Sequence, residues 1–181
     1  IHAENVDLNT KRGVLHMSPI HYACMGGHVE VVQYLVDKAG CDPLSRNQQG
    51  KTPLHLACEA GHLNMARFLL QTYQCDPDSR DQKGQTPLHL ASRAAIAQYL
   101  VETQGCEPAK CADNVGRNPL HTAVSMNHTE TAVYLLTERL CDPNACDSAG
   151  DVPLSLTDKS NMSGALLSHG AKPDFPHKQF K

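Results

Sequence analysis

The sequence predicts an all-α solenoid of helix–turn–helix units joined by hairpin-like long turns. Three observations predict it. Prolines stand at 19, 53, 87, 119 and 153, each inside a variant of Thr-Pro-Leu-His, so the spacings are 34, 34, 32 and 34 residues. A period of this size marks a stacked-repeat architecture. Behind each proline-headed stretch lies a second apolar stripe at helical spacing, as in Leu63, Ala66, Phe68, Leu69 and Leu70. The first four units then close on Cys-Asp-Pro or Cys-Glu-Pro and a polar, glycine-containing turn. No unit this short can bury its own apolar face, so neighbours must stack. A single continuous, quasi-one-dimensional core is the expectation.

The unit headed by Pro53 shows the logic. The Thr52 hydroxyl is placed to accept from an orphan amide of the first turn. Pro53 then sits at the first helical position, where its missing N–H costs nothing. Gly61 stops this short helix by the left-handed route. The second helix follows, and Cys75-Asp76-Pro77 opens the long turn that ends near Gly84.

Taken in order, residues 1–18 read as the remnant of a preceding repeat, with Val6-Asp7-Leu8-Asn9 as its last stretch, so the chain is expected to be part of a longer array. Repeat one, 19–51, has helices near 19–25 and 28–38 with Val29, Val32, Leu35 and Val36 as its stripe. Repeat two, 52–85, has helices near 53–60 and 63–73. Repeat three, 86–117, is three residues shorter between Pro87 and Leu100 and lacks Gly-His. It then carries one extra residue between Pro108 and Pro119, so its two helices must link more tightly, with a local bend or notch. Repeat four, 118–151, has helices near 119–126 and 129–139. Repeat five, 152–173, has Ser155 where His belongs and reads as a degenerate C-terminal cap. The tail 174–181 is expected to be solvated, with Phe175 partly docked.

Thr-Pro-Leu-His-x-Ala, the Gly-His after it and the Leu-Leu run resemble the ankyrin repeat from about Val6 to Pro173. The resemblance implies that His21, His55, His89 and His121 hydrogen-bond within and between repeats and hold the long turns. It also implies a concave recognition surface made of hairpin tips and first helices. Carried over position by position, that surface comprises Tyr22 and Met25 in repeat one, and Arg46, Gln48, Gln49, Lys51 and Glu59 at repeat two. It continues with Arg80, Gln82, Lys83, Gln85 and Arg93 at repeat three, and Asn114, Val115, Arg117, Ser125 and Met126 at repeat four. Leu136-x5-Asp142-x-Asn144 resembles the family's asparagine-hydroxylation pattern.

Charge shapes the expected partner. The chain carries a net charge of −3, which speaks against nucleic acid. Yet Arg46, Lys51, Arg80, Lys83, Arg93 and Arg117 make the implied surface basic against Glu59, Asp81 and Asp113. Two readings stand. One is an ordinary solvated hairpin edge. The other is a groove that steers an acidic or phosphorylated segment of another protein or peptide.

Chemistry is not expected. Of eleven histidines, seven belong to the signature or to the Gly-His turn, and the remaining four form no ligand spacing. Cys41, Cys75, Cys106 and Cys141 recur at one place in the repeat, and Cys24 and Cys58 at another, as small buried apolar residues do. Their rise along a stack suits reduced thiols and a cytoplasmic, intracellular setting, with the nucleus also open. Cys106-x4-Cys111 and Cys141-x4-Cys146 lack the Cys-x2-Cys spacing of a zinc pair. No catalytic residue, cofactor or metal is therefore expected, and no apolar run is long enough for membrane insertion.

The expected function is non-catalytic protein–protein recognition. One alternative is a regulatory or targeting segment of a larger enzyme or channel. Another is an inhibitor of a transcription factor. Ala39 to Pro43, Arg46 and the stretch Gly50 to Gly61 resemble the inhibitor-of-NF-κB family at one repeat boundary.

Overall fold

A computed structural model describes residues 16–138 and 140–173. The readings made for Val6–Asn9 and for Phe175 lie outside these residues. Among the described residues the chain forms α1 (Pro19–Met25), α2 (Val29–Asp37), α3 (Pro53–Glu59) and α4 (Leu63–Thr72). After these come α5 (Ala94–Gln98), continued by a π-helical turn at Tyr99–Thr103, then α6 (Pro119–Ser125) and α7 (Thr129–Thr137). A 3-10 turn at Pro153–Leu156 and α8 (Ser160–Ser168) complete the row.

The short first helices start as the sequence requires. In α3, Thr52 Oγ1 accepts from the His55 amide at 3.5 Å, with Pro53 at the first position. Between α3 and α4 Gly61 takes φ of 83°, a left-handed value that glycine adopts without a Cβ penalty. Asn127 fills the corresponding place between α6 and α7 with φ of 59°, and Asn is among the few other residues that visit this region.

Packing is between partners and successive units. α1 lies against α2 and α3, α3 against α4, α5 against α7, α6 against α7 and the 3-10 turn, and α7 against α8. The result is the expected row.

The core departs from expectation. The buried apolar residues form two clusters among the described residues. One runs from Ile20 to Cys106 and the other from Leu120 to Ala171, with partly buried Tyr134 touching both. The physical cause lies in repeat three. Its first helix does not form. Only a tight turn remains, with i to i+3 amide bonds from His89 to Thr86 (3.0 Å), Leu90 to Pro87 (3.2 Å) and Ala91 to Leu88 (3.3 Å). The three missing residues were the last turn of that helix. In their place, the Ser92 amide and hydroxyl both donate to the Cys58 carbonyl, at 3.2 and 3.3 Å. The anticipated notch is therefore a lost helix and a broken core.

The six cysteines at the two recurring places are buried, while Cys111 is half-buried and Cys146 exposed. Burial pushes the Cys24 thiol up to about 12, Cys75 to about 11 and Cys106 and Cys141 to about 12. Such thiols stay protonated at neutral pH and make poor nucleophiles. Among the described residues no group of three His, Cys, Asp or Glu gathers as metal ligands. No described helix is long and apolar enough to cross a membrane.

Candidate recognition surface

The long turns end in tips of one repeated construction. A side-chain oxygen accepts two tip amides in each. Asn47 Oδ1 takes Gln49 and Lys51 (2.9 and 3.0 Å), and Asp81 Oδ1 takes Lys83 and Gln85 (2.8 and 2.9 Å). Asp113 Oδ1 takes Val115 and Arg117 (both 2.9 Å), and Asp147 Oδ1 takes Ala149 and Asp151 (2.8 and 3.0 Å). Successive tips are then joined by single amide-to-carbonyl bonds of 2.9 Å: Gln82 to Gln49, Asn114 to Lys83 and Ser148 to Val115. Each tip is thereby held against its neighbour, and the exposed side chains start from a fixed backbone.

The signature histidines tie the tips to the helices. The Thr52 amide and hydroxyl meet His55 Nδ1 at 3.2 and 2.8 Å, and His55 Nε2–H donates to the Gln85 carbonyl of the next tip at 3.1 Å. His89 repeats this with Thr86 and the Arg117 carbonyl (3.0 Å), and His121 reaches the Asp151 carbonyl (3.3 Å). Each is buried. Burial pulls His55 down to about 4 and lowers His89 and His121 as well. A neutral ring with Nδ1 accepting and Nε2 donating satisfies the bonds of His55 and His89, so these groups are structural.

An open hollow of about 520 Å³ lies between the tips and α6. Gln82, Lys83 and Gln85 form one wall, and Asn114, Val115 and Arg117 another. Ser125 and Met126 of α6 close it. The structure brings these eight expected residues together. Val115 and Met126 are 50% and 43% exposed, an apolar pair within a polar rim. Thr122 also lines the hollow and was missed by the sequence reading. Its signal is a Thr where the signature has Leu56 and Leu90. Its buried hydroxyl has no hydrogen-bond partner among the described residues.

The other expected residues lie elsewhere. Tyr22 and Met25 are exposed on α1, and Gln48 and Gln49 on the preceding tip. Arg93 lines a separate depression with Ser92, Asn127, His128, Thr129 and Glu130, at the opposite end of the first helices. There it backs the turn of repeat two, since a Cβ on Gly61 would stand 2.9 Å from Arg93 Nε. Arg93 thus replaces the missing Gly-His histidine. In repeat two that histidine, His62, has its ring against Gly27 and donates to the Met25 carbonyl at 3.0 Å.

The basic character of the surface is mostly consumed by the fold. Arg46 Nη1 donates to the carbonyls of Gly50 (2.8 Å) and Arg80 (2.6 Å), stapling two tips. Arg80 repeats the staple on Gly84 (2.8 Å) and Ala112 (2.6 Å). Lys51 pairs with Glu59 at 2.7 Å, and Arg117 with buried Asp147 at 3.0 Å. Burial alone would raise Asp147, but Arg117 and the tip amides more than offset it and hold its carboxyl low. Lys83 is exposed, and its ammonium has no hydrogen bond or ion pair among the described residues. Of the six basic residues counted on the implied surface, Arg93 lies in the separate depression and Lys83 is the exposed cation on the wall of the hollow.

A row of helix pairs, braced by hairpin tips and offering a half-apolar hollow, defines a repeat-array recognition protein. The sequence model of the ankyrin-repeat family, described as ankyrin repeats in three copies, matches residues 1–81 and 70–147. The chain belongs to the ankyrin-repeat family and is a protein–protein interaction module. It is similar to the 26S proteasome non-ATPase regulatory subunit 10 of Dictyostelium discoideum, with 36% identity over 75 residues. That match takes in 40% of the chain and 32% of the relative. The chain thus spans about a third of the length of the curated relative it matches.

Proposed function

We propose that the chain is a non-catalytic module that binds a protein or peptide segment in the hollow over repeat three. An apolar side chain of that segment seats between Val115 and Met126, and an acidic or phosphorylated group beside it meets Lys83. The observation that carries this reading is the exposed apolar pair set among tips that the backbone bonds hold in place. Preorganised surfaces bind with less ordering cost than loops. Apolar anchors near the centre of a contact commonly carry most of its energy. The carboxylates Asp81 and Asp113 are tied into the tips through Oδ1, and Lys83 is the exposed cation on the wall of the hollow. The similarity to a non-ATPase subunit of a larger assembly supports a role in binding over one in catalysis.

A photo-reactive residue at Val115 tests this. It should capture a partner that the same group at Gln71, exposed on α4, does not. With that partner purified, Val115→Asp should weaken binding about tenfold or more, which is about 1.4 kcal/mol. Lys83→Glu should weaken it and flatten its salt dependence. Wild-type affinity in both variants would refute the reading.

A further inference from the structure

The residue after each signature histidine is Tyr22, Leu56, Leu90 and Thr122 in successive units. Leu56 and Leu90 are 5% and 0% exposed and present only carbon. Thr122 is as buried, at 3% exposed, yet it brings a hydroxyl to the same place. That hydroxyl bonds to nothing among the described residues. A threonine inside a helix can satisfy its oxygen on the carbonyl four residues back. Here it makes no such bond, and Ser125 Oγ donates to the Thr122 carbonyl at 3.0 Å rather than to its side chain. A buried polar group without a partner is rare in native proteins and calls for an explanation.

Thr122 lines the hollow together with Met126 and Val115. The Met126 amide donates to the Thr122 carbonyl at 2.9 Å, one turn on, so the two side chains share a helix face. Met126 is 43% exposed, and an unbranched thioether chain adapts to what lies against it.

We propose that the partner side chain seated between Val115 and Met126 is aromatic with a hydrogen-bonding tip, a tyrosine or a tryptophan, and that its O–H or N–H donates to Thr122 Oγ1. The proposal rests on the hollow being the recognition site. Met126 yields as the ring enters, which opens the buried hydroxyl to the tip. The ring packs on Val115 and on the Met126 sulfur, which makes favourable contacts with aromatic rings. The tip loses its water on entry and needs a protein partner. Thr122 supplies that partner and is itself satisfied. A leucine or phenylalanine in the same seat leaves the hydroxyl unpaired and binds more weakly. Thr122 thus sets specificity, while the apolar pair provides the grip.

A random peptide library displayed on phage is the probe. Binders are selected on the chain and kept where Val115→Asp abolishes capture, which restricts them to the hollow. These peptides should share a tyrosine or tryptophan at one position. Replacing that tyrosine by phenylalanine, or that tryptophan by benzothienylalanine, should weaken binding to the wild-type chain about fivefold, the net worth of one hydrogen bond. The same replacement should change nothing in Thr122→Val, which keeps the shape and removes the hydroxyl. Thr122→Ser, which keeps the hydroxyl, should keep the loss. A shared leucine or phenylalanine would overturn the proposal and leave the hollow as the binding site. So would an equal loss in wild type and Thr122→Val, which would give the tip to another group such as Gln82 or Gln85. Absence of any binder sensitive to Val115→Asp would overturn both readings.

Discussion

The Thr131 hydroxyl donates a 2.9 Å hydrogen bond to the Ala91 carbonyl, across the seam between the two apolar clusters. Thr131 is 1% exposed and is the third residue of α7, while Ala91 ends the tight turn that replaces a helix. A carbonyl left without a helix to bond into is thus satisfied from the next unit.

Thr131→Val should cost about 1–3 kcal/mol, because it strands a buried acceptor while keeping the shape. Thr131→Ser should recover most of the loss. Urea unfolding followed by amide exchange should show α6 to α8 opening earlier in the valine variant than α1 to α4. Equal loosening of both halves would mean that the seam does not divide the cooperative units.

Acid should weaken the fold before carboxylates matter. His55 has a folded value of about 4 against an ordinary 6.5, so its stabilising contribution is complete above pH 6.5 and is lost as pH falls towards 4. Stability should therefore drop by about 2–3 kcal/mol from His55 alone between pH 7.5 and 4.5. His89 and His121 shift in the same direction and add to it. Asp147 is held low and contributes its own loss only below that window. Urea midpoints at the two pH values, in wild type and His55→Gln, check this. A drop of the same size in the variant would remove His55 from the account.

The cap of α6 is mismatched. His121 Nδ1 lies 2.8 Å from Asn118 Oδ1, and the His121 amide also donates to that oxygen at 3.1 Å. Oδ1 only accepts, so Nδ1 must carry the proton, yet the Asn118 amide points at the same nitrogen from 3.3 Å. Thr52 and Thr86 avoid this with a hydroxyl that donates. Asn118→Thr should stabilise the chain by about 0.5–1.5 kcal/mol, the net worth of one hydrogen bond. Thermal unfolding measures it, and an unchanged or lower midpoint would contradict the assignment.

Charge reversal at the tips should separate binding from stability. Arg80 holds the Gly84 and Ala112 carbonyls, so Arg80→Glu should destabilise the fold by about 1–3 kcal/mol. Lys83→Glu, with no such bonds, should stay within about 0.5 kcal/mol of wild type. Urea midpoints decide it. Equal destabilisation by both would show that Lys83 is also structural.

Much was legible in the sequence. The period in the prolines gave the row of helix pairs, because stacking copies one solution of a local problem in register. The Thr-Pro start, the left-handed turn and the recurrent cysteines are set by residues within a few positions of one another. For that reason the histidine bonds and the six buried thiols agree with expectation. The eight expected residues that line the hollow share it by their place in the unit, and their role in binding is the proposal made above.

Other features required the tertiary structure. A three-residue deletion signals a notch, but whether the chain keeps two tight helices or gives one up depends on what the neighbouring units can satisfy. Here Ser92 and Thr131 bond the backbone ends from opposite sides, and the helix is lost. Charge counting could not show that Arg46, Arg80 and Arg117 are used up, since their acceptors lie about thirty residues away in sequence. Composition fixes which charges exist, and only packing decides which of them still face the solvent.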